Sequence, residues 1–283
     1  MGGPWAAWAE EEAGRIRAEG RWRSVRDVAG PEPATSVAGA GGDRDVVSFA
    51  SNDYLGLTRH PAVLAAAQEA LARWGSGAGS ARLVAGARHV HRALEADLAE
   101  WKGAEAAVLF PTGFAANLGV LQALAGPGVT VVSDELNHAS IVDGCRLSRA
   151  AVTVSPHADV AAVEAAVAAA PGRALVVTES VFSMDGDGAP VEELLDACGR
   201  HDALLVLDEA HAVLGPAVDP RRGAGPVLRV GTLSKALASL GGFVAGPAGL
   251  CELLVNRARS FIFTTASTPA DTAAARAALA VLR

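Results

Sequence analysis

Residues 204–211 read Leu-Leu-Val-Leu-Asp-Glu-Ala-His, and this stretch decides the fold class of the 283-residue chain. Four consecutive aliphatic residues leave neither face of a strand to water, which is typical of a parallel strand buried between two layers of helices. The acids that follow mark the end of that strand, because a carboxylate beside buried aliphatics is costly unless a cation meets it. The stretch therefore predicts an α/β protein with a polar site at one edge of its sheet.

Apolar runs of strand length recur along the chain and alternate with helix-like stretches. The other strand candidates are Ala106–Phe110, Val129–Val132, Ala151–Val154, Leu175–Thr178, Val227–Val230 and Phe243–Ala245. The helix candidates are Val63–Trp74, His91–Trp101, Ala115–Leu124, Val160–Ala169 and Val191–His201. This alternation predicts a parallel sheet covered by helices on both faces, with ligands binding at the carboxyl edge of the strands.

The first 45 residues differ from the rest. Residues 5–28 predict an amphipathic helix and its exit, with acids early and arginines later. Residues 29–45 are rich in Gly, Pro and Ala, as loops and linkers are. We therefore expect an N-terminal helix and linker over residues 1–45 and a large domain over residues 46–283.

The composition excludes several classes of protein. A formal charge of −7 with 19% charged residues offers no basic surface for nucleic acid or for an anionic membrane. Hydrophobic residues make up 51% of the chain, too many for a disordered protein, yet every long apolar stretch is interrupted. The three cysteines lack metal-ligand and redox spacing, and the first residues do not form a signal peptide. We expect buried cysteines, no metal site and a cytoplasmic location.

Chemically active side chains follow several of the predicted strands. Thr112 and Gly113 come after one strand and open a helix, an arrangement that suits a phosphate group but is also an ordinary helix start. His138 follows another strand, where a lone histidine is more often structural. The acids between Glu179 and Asp187 could equally be turn formers. Asp208 follows the deciding strand, so all these groups are expected near one sheet edge.

Lysine is rare in this sequence: of 24 basic residues, only Lys102 and Lys235 are lysines. Lys235 lies among small and apolar residues without a neighbouring acid. Desolvation there would lower its pKa and make the amine nucleophilic, as a Schiff-base lysine requires. Lys102 lies at a predicted helix end just before Gly103, so we expect it to be a surface residue that caps the helix.

Taken in order, these motifs resemble those of the α-oxoamine synthase family of pyridoxal-phosphate (PLP) enzymes, which have the aspartate-aminotransferase fold. The matching segments are Ser51–Leu57 with His60 and Pro61, Gly77–Gly86, His91–Leu98, Thr112–Asn117, Asn137–Ser140, Glu179–Asp187, Asp208–His211 and Thr232–Lys235. Their order and spacing hold across nearly all of residues 49–270. The resemblance implies a three-layer α/β/α PLP-transferase large domain with a mainly parallel sheet, preceded by an N-terminal helical segment. Ser234 stands where several members carry glycine.

By position, the resemblance implies roles for residues that would bind PLP. Lys235 would hold the cofactor covalently, Asp208 would pair with its pyridinium nitrogen, and His138 would stack on its ring. The other cofactor contacts would come from Thr112, Gly113, Phe114, Glu179, Ser183, His211 and Thr232, with Thr264 and Thr265 supplied by a dimer partner. Arg23, Asn52 and His138 would contact substrate. Lys235, His138 and Asp208 would be the catalytic residues.

The resemblance also implies an activity. The motifs are most similar to the branch that condenses L-alanine with a pimeloyl thioester of coenzyme A or acyl carrier protein, with loss of carbon dioxide, in biotin synthesis. A homodimer with its active site at the interface is expected. A sister amino-ketone synthase, such as a glycine C-acetyltransferase, and a non-catalytic PLP-binding paralogue stay open. We expect the family's small C-terminal domain, which supplies an arginine for the amino-acid carboxylate, to be absent from a chain that stops at Arg283.

Overall fold

The computed structural model describes residues 3–30, 33–37, 42–212 and 225–283. The chain divides into two units, Met1–Ser51 and Asn52–Arg283. The boundary predicted at residue 45 therefore falls inside the first unit.

The first unit contains a helix and a strand pair. Helix α1 (Pro4–Ala18) is shorter than the predicted segment 5–28, and Gly20, with φ of 67°, follows its end. The predicted linker over 29–45 is corrected in part, because β1 (Ala34–Val37) pairs antiparallel with β2 (Arg44–Val47). The β-branched residues in these two strands favour extended backbone, and the Gly and Pro content concealed that signal.

The second unit is built on a seven-stranded sheet, counted over the described residues. Its strands are β3 (Ala106–Phe110), β4 (Val129–Asp134), β5 (Ala151–Ser155), β6 (Arg173–Glu179), β7 (Leu204–Asp208), β8 (Val227–Thr232) and β9 (Gly242–Gly246). They lie in the order β3-β9-β8-β7-β6-β4-β5. All seven predicted runs are strands, most of them longer by one or two residues at an end.

The sheet is mainly parallel, and β9 is the exception. It pairs antiparallel with both of its neighbours, β3 and β8. The connection from β8 to β9 spans residues 233–241, which is too short for the helical crossover that a parallel return requires. The chain therefore turns back and places Gly242 beside the end of β8.

Helices cover both faces of the sheet, as predicted. They are α2 (Pro61–Trp74), α3 (His89–Lys102), α4 (Gly113–Leu124), α5 (Ala139–Ser148), α6 (Val160–Ala168), α7 (Val191–Arg200), α8 (Ala248–Arg257), α9 (Arg259–Ile262) and α10 (Pro269–Leu282). Val206 packs with α4, α5, α8 and α9, whereas its neighbour Leu205 packs with α6 and α7, because successive strand side chains point to opposite faces. Helices α2, α3 and α10 form a further cluster over β3 and β9. Among the described residues, no helix is long and apolar enough to cross a membrane.

The prediction that Lys102 lies on the surface is wrong. It does end α3, but its side chain is 9% exposed and its Nζ lies 2.6 Å from Glu209 Oε2. Arg229 Nε lies 3.3 Å from the other oxygen of Glu209, and Arg229 Nη1 donates to the carbonyl oxygen of Lys102 at 2.8 Å. A buried carboxylate needs such cations, so Lys102 and Arg229 stabilise Glu209 in the interior.

Candidate active site

A cavity of about 260 Å³ lies at the carboxyl edge of β6, β7 and β8. It is lined by most of the predicted site residues: Thr112, Gly113, Phe114, His138, Glu179, Asp208, His211, Thr232 and Lys235. A larger cavity of about 570 Å³ lies among α2, α3 and α10 and contains none of the predicted site residues. The chemistry of the lining, and not the size of the cavity, therefore identifies the candidate site.

Lys235 follows β8 and extends its amine into the cavity. Its Nζ lies 2.7 Å from Nε2 of His211. Burial lowers the pKa of Lys235, and the charges of Asp208 and Glu179 partly oppose this shift. The environment thus favours the neutral amine more than water does, which is what a nucleophilic lysine requires.

Asp208 lies buried at the end of β7, below the cavity. Its Oδ2 accepts a hydrogen bond from Asn117 Nδ2 at 2.7 Å, and its Oδ1 accepts one from the amide of Ala210 at 2.9 Å. Burial raises the pKa of Asp208, whereas the hydrogen bond from Asn117 lowers it. Both hydrogen bonds come from neutral donors, so a ring N–H⁺ in the cavity would supply the charged partner that this carboxylate needs.

Glu179 ends β6 directly opposite Asp208 in the strand register. Its carboxylate accepts hydrogen bonds from the backbone amides of His138, at 2.6 Å, and Ser183. Burial and the nearby charge of Asp208 raise the pKa of Glu179 to about 7. A cofactor or substrate that brings a positive charge would relieve this pair of neighbouring acids.

We expect the stability of the cofactor-free chain to depend on pH through Glu179. Because its folded-state pKa of about 7 lies above the unfolded value of 4.5, ionisation opposes folding, and stability is lost as the pH rises between these values. Glu179→Gln keeps an oxygen acceptor for the His138 amide and removes the charge. In urea unfolding from pH 4 to 8, the variant should gain stability relative to wild type between pH 4.5 and 7.

Glu164→Gln is the matched control for that titration. Arg200 lowers the pKa of Glu164, so its ionisation favours folding and the pH dependence should have the opposite sign. Identical pH profiles for wild type and Glu179→Gln would contradict the raised pKa of Glu179.

His138 caps the N-terminus of α5, and a short polar network orients its ring. Its Nδ1 lies 2.8 Å from Ser140 Oγ, and Asn117 Nδ2 donates to the same oxygen at 2.9 Å. Asn117 also binds Asp208, so one amide side chain links the histidine to the buried acid. Asn117 and Ser140 lie in motifs that the sequence analysis singled out, but this network was not predicted from them.

His211 lies between Lys235 and Tyr54. Tyr54 Oη lies 2.7 Å from Nδ1 of His211 and 3.1 Å from Oδ1 of Asn52. With the Tyr54 hydroxyl donating to Asn52, Nδ1 carries the imidazole proton and Nε2 accepts from Lys235. Burial and the charges of Lys235 and His138 lower the pKa of His211 to about 4, which keeps the ring neutral at pH 7. Sequence reasoning missed Tyr54, although the motif that contains it was recognised.

The start of α4 and the turn after β8 form a cradle suited to phosphate. Thr112 caps α4 by accepting the Ala115 amide at 3.0 Å, and this helix start offers unpaired N–H groups and a positive dipole end. Thr232 Oγ1 lies 2.7 Å from Ser234 Oγ. A Cβ atom at Gly113 would come within 3.3 Å of Thr232 Cβ, so glycine keeps the cradle open. The serine noted as a departure from the family thus adds a hydroxyl to this cradle.

Several predicted site residues do not line the cavity. The side chain of Ser183 is exposed, although its amide binds Glu179. Thr264 and Thr265 lie with Arg82 in a separate small cavity, and their contribution to a partner's site stays a prediction. In the described part of the chain, Asn52 is linked to the site through the Tyr54 hydroxyl.

Arg23 belongs to the first unit, where its side chain is exposed, and its contact with substrate also stays a prediction.

Comparison with known proteins agrees with this chemistry. A family model described as aminotransferase class I and II matches residues 44–283. The 8-amino-7-oxononanoate synthase of Mycolicibacterium smegmatis is 51% identical over 98% of this chain and 72% of its own length. The enzyme of that name from Geobacter sulfurreducens is 48% identical over 95% of this chain and 70% of its own length.

The fold is shared with solved structures of similar proteins, and one of the two described next contains PLP. A serine palmitoyltransferase from S. paucimobilis with bound PLP has a TM-score of 0.87 and 31% identity over 97% of this chain and 71% of its own. An 8-amino-7-oxononanoate synthase from Francisella tularensis has a TM-score of 0.71 and 27% identity over 83% of this chain and 68% of its own. A nucleophilic lysine, a buried acid and an anion cradle are the groups that PLP requires. The chain belongs to the class I and II aminotransferase family, and within it to the PLP-dependent α-oxoamine synthases.

Proposed function

We propose that the chain condenses L-alanine with a pimeloyl thioester, carried by coenzyme A or acyl carrier protein, to give 8-amino-7-oxononanoate and carbon dioxide for biotin synthesis. The observation that carries the proposal is the meeting of Lys235, His211 and Asp208 in one cavity beside a phosphate cradle. The names of relatives at about half identity over nearly the whole chain support the choice of reaction.

Lys235 would hold the cofactor covalently, and Asp208 would bind its ring nitrogen. The cradle formed by the start of α4 and the turn after β8, with Thr112 and Thr232, would bind its phosphate. When bound, PLP supplies an electron sink for the negative charge that develops at the α-carbon of the amino acid. Asp208 would keep the proton on the ring nitrogen, because a buried ionised carboxylate is stabilised by a neighbouring positive charge.

Lys235 also supplies the general base of the proposed reaction. Its amine has a lowered pKa, so the neutral form that removes the α-proton is more accessible than for a lysine in water. Neutral His211 accepts a hydrogen bond from Lys235 and orients the amine. His138, fixed by Ser140, borders the same cavity and would cover one face of the cofactor ring.

The proposed reaction can be tested with the PLP-loaded chain, L-alanine and a pimeloyl thioester. We expect release of carbon dioxide from the alanine carboxylate and formation of 8-amino-7-oxononanoate, detected by mass spectrometry. Glycine lacks one methyl group and should react with a kcat/KM about 10- to 200-fold lower. A preference for glycine would instead support a sister synthase, and PLP binding without turnover of either amino acid would overturn the proposal.

Asp208→Asn is expected to keep PLP bound but to lower kcat by about 10²- to 10³-fold, a loss typical of removing one preorganised electrostatic contact. The amide preserves the size of the side chain and an acceptor for Asn117 while removing the charge. Absorbance titration would measure PLP binding, and product formation would measure kcat. An unchanged kcat would refute a role for the Asp208 charge at the ring nitrogen.

We also infer a homodimer with the active site at its interface. Val84 and Phe263, which are 80% and 69% exposed, lie on two segments joined by the hydrogen bond from the Ala266 amide to the Ser80 carbonyl oxygen. Exposed apolar residues of this size are typical of a contact surface. Thr264 and Thr265 are adjacent to Phe263, so a partner at this surface could receive them in its phosphate cradle.

A reducing, cytoplasmic location is inferred from the cysteines. Cys145, Cys198 and Cys251 are all free and buried, as predicted. Burial raises the pKa of each thiol, that of Cys198 to about 12 and that of Cys251 to about 11. Unpaired, protonated thiols of this kind fit a compartment in which disulfides are rare.

A further inference from the structure

His157 joins three connections at the carboxyl edge of the sheet without lining the candidate active site. It follows β5, and its Nδ1 lies 3.0 Å from Asp134 Oδ1, at the end of β4. Its Nε2 lies 2.7 Å from Asp187 Oδ2, in the connection that follows β6. The imidazole also packs edge-on against the ring of Phe182, with 4.4 Å between ring centroids.

The position of His157 is fixed on its own side by several backbone contacts. Its amide donates to Glu135 Oε1 at 3.0 Å, and the next amide, of Ala158, donates to Asp134 Oδ2 at 2.8 Å. Ala158 has a φ of 54°, a left-handed conformation that costs energy in a residue with a side chain. These two contacts, at the strained residue and at the residue before it, hold the imidazole towards Asp187.

Residues 180–188, here called the Ser183 loop, connect this histidine to the active site. The amide of Ser180 donates to the carbonyl oxygen of Asp208 at 2.8 Å, and the amide of Ser183 donates to the Glu179 carboxylate. Within the loop, the Phe182 amide donates to the carbonyl oxygen of Asp187 at 2.9 Å. Near the other end of the loop, Asp187 Oδ2 lies 2.7 Å from Nε2 of His157. One end of the loop is therefore attached to the acids of the site and the other to His157.

We propose that His157 is a positioning residue that bridges Asp134 and Asp187 and thereby holds the Ser183 loop against the PLP site. The loop contributes the Ser183 amide that binds Glu179, and it carries the Ser183 hydroxyl. Because the Ser183 side chain is exposed, the position of its hydroxyl depends on the position of the loop. The part of this inference that concerns PLP rests on the proposed function; the bridge itself does not.

The bridge should depend on pH, because only the charged imidazole donates from both ring nitrogens. The charged side chains that contact residue 157 in the described part of the chain are Asp134, Glu135 and Asp187, all acidic, whereas Asp159 caps α6. The hydrogen bonds that the imidazole donates to Asp134 and Asp187 raise the pKa of His157 above 6.5. The bridge is therefore complete below pH 6.5 and loses one donor as the pH rises through the raised pKa.

Hydrogen exchange of the cofactor-free chain tests the bridge directly. In His157→Gln, the amides of residues 180–188 should exchange about tenfold faster than in wild type at pH 6, the loss expected for a charged hydrogen bond. The ratio should fall towards one at high pH, where wild type has also lost the charge. Asp187→Asn, altered on a partly exposed side chain, should reproduce the effect without disturbing Asp134.

His201→Gln is the matched control, because His201 Nε2 also lies near a carboxylate, 3.3 Å from Glu164 Oε1, but at the end of α7. It should leave exchange in the Ser183 loop unchanged. Equal exchange in this loop for wild type and His157→Gln at pH 6 would overturn the bridge, as would a ratio that does not vary with pH.

PLP affinity tests whether the bridge acts through Ser183. We expect His157→Gln and Ser183→Ala each to weaken PLP binding several-fold, and the double variant to be no weaker than Ser183→Ala alone, since both changes would remove one contact. Fully additive losses, or unchanged affinity in His157→Gln, would overturn the positioning role. If wild type binds no PLP, the proposed function fails, while the exchange measurement still decides whether His157 holds the loop.

Discussion

Lys235→Ala is expected to abolish borohydride trapping of PLP and to lower kcat by at least about 10³-fold, within the range that general acid–base groups contribute. The substitution removes both the covalent attachment and the base. Nε2 of His211, 2.7 Å from Lys235 Nζ, belongs to a ring that cannot replace an amine as a Schiff-base partner. The measurements are the visible absorption of the PLP complex, the mass of the reduced adduct and product formation.

The second lysine provides the control for this experiment. Lys102→Arg keeps a cation opposite Glu209 and should retain the trapped adduct, because Lys102 lies outside the active-site cavity. With two lysines in the chain, a single peptide map assigns the modified residue. An adduct that persists in Lys235→Ala would refute the assignment of Lys235 as the anchor.

Lys102→Ala is expected to lower the free energy of unfolding by up to about 3–5 kcal/mol, the range for removing one partner of a buried ion pair, and Arg229 stays as the second cation beside Glu209. Glu209 is 6% exposed in its side chain and binds Lys102 at 2.6 Å. Burial lowers the pKa of Lys102, and the charge of Glu209 opposes that shift, so the two charges depend on each other. Chemical denaturation of wild type and variant measures the change.

An exposed ion pair serves as the comparison for the buried one. Arg276 and Asp97 are 2.6 Å apart with side chains 50% and 31% exposed, so Arg276→Ala should cost about 0.2–1 kcal/mol. Lys102→Arg keeps a cation opposite Glu209 and should lose less stability than Lys102→Ala. Equal losses for Lys102→Ala and Arg276→Ala would contradict the importance of burial.

Much of the fold could be predicted from local sequence, because strands buried on both faces consist of continuous apolar residues. The run 204–207 is a central strand, and the other six runs are strands of the same sheet. The reversal of β9 was not predicted, since strand direction depends on the length of the connection and not on the strand's own residues. The pairing of 34–37 with 44–47 was concealed in a segment with the composition of a linker.

The candidate site could be predicted in its chemistry but not in its connections. Asp208 and Lys235 were identified because an acid and a lysine in apolar surroundings are costly without a function. Lys102 was misjudged for the converse reason: its partner Glu209 is distant in sequence, and a local pattern does not show that pairing. Tyr54 was missed because a tyrosine in a loop is not energetically unfavourable, so the sequence offers no reason to assign it a role. Its role is visible only from its contact with His211.

The reversal of β9 limits how the phosphate cradle can vary. The turn that brings the chain back places Gly242 against the start of α4, where a Cβ atom would lie 2.5 Å from the carbonyl of Thr112 and 2.6 Å from the amide of Gly113. Thr232 Oγ1 donates to the carbonyl oxygen of Gly241 at 3.1 Å, so the same turn orients a hydroxyl of the cradle. Side chains at the rim of this cavity can therefore be varied in an engineered enzyme, but Gly113 and Gly242 have to remain glycine.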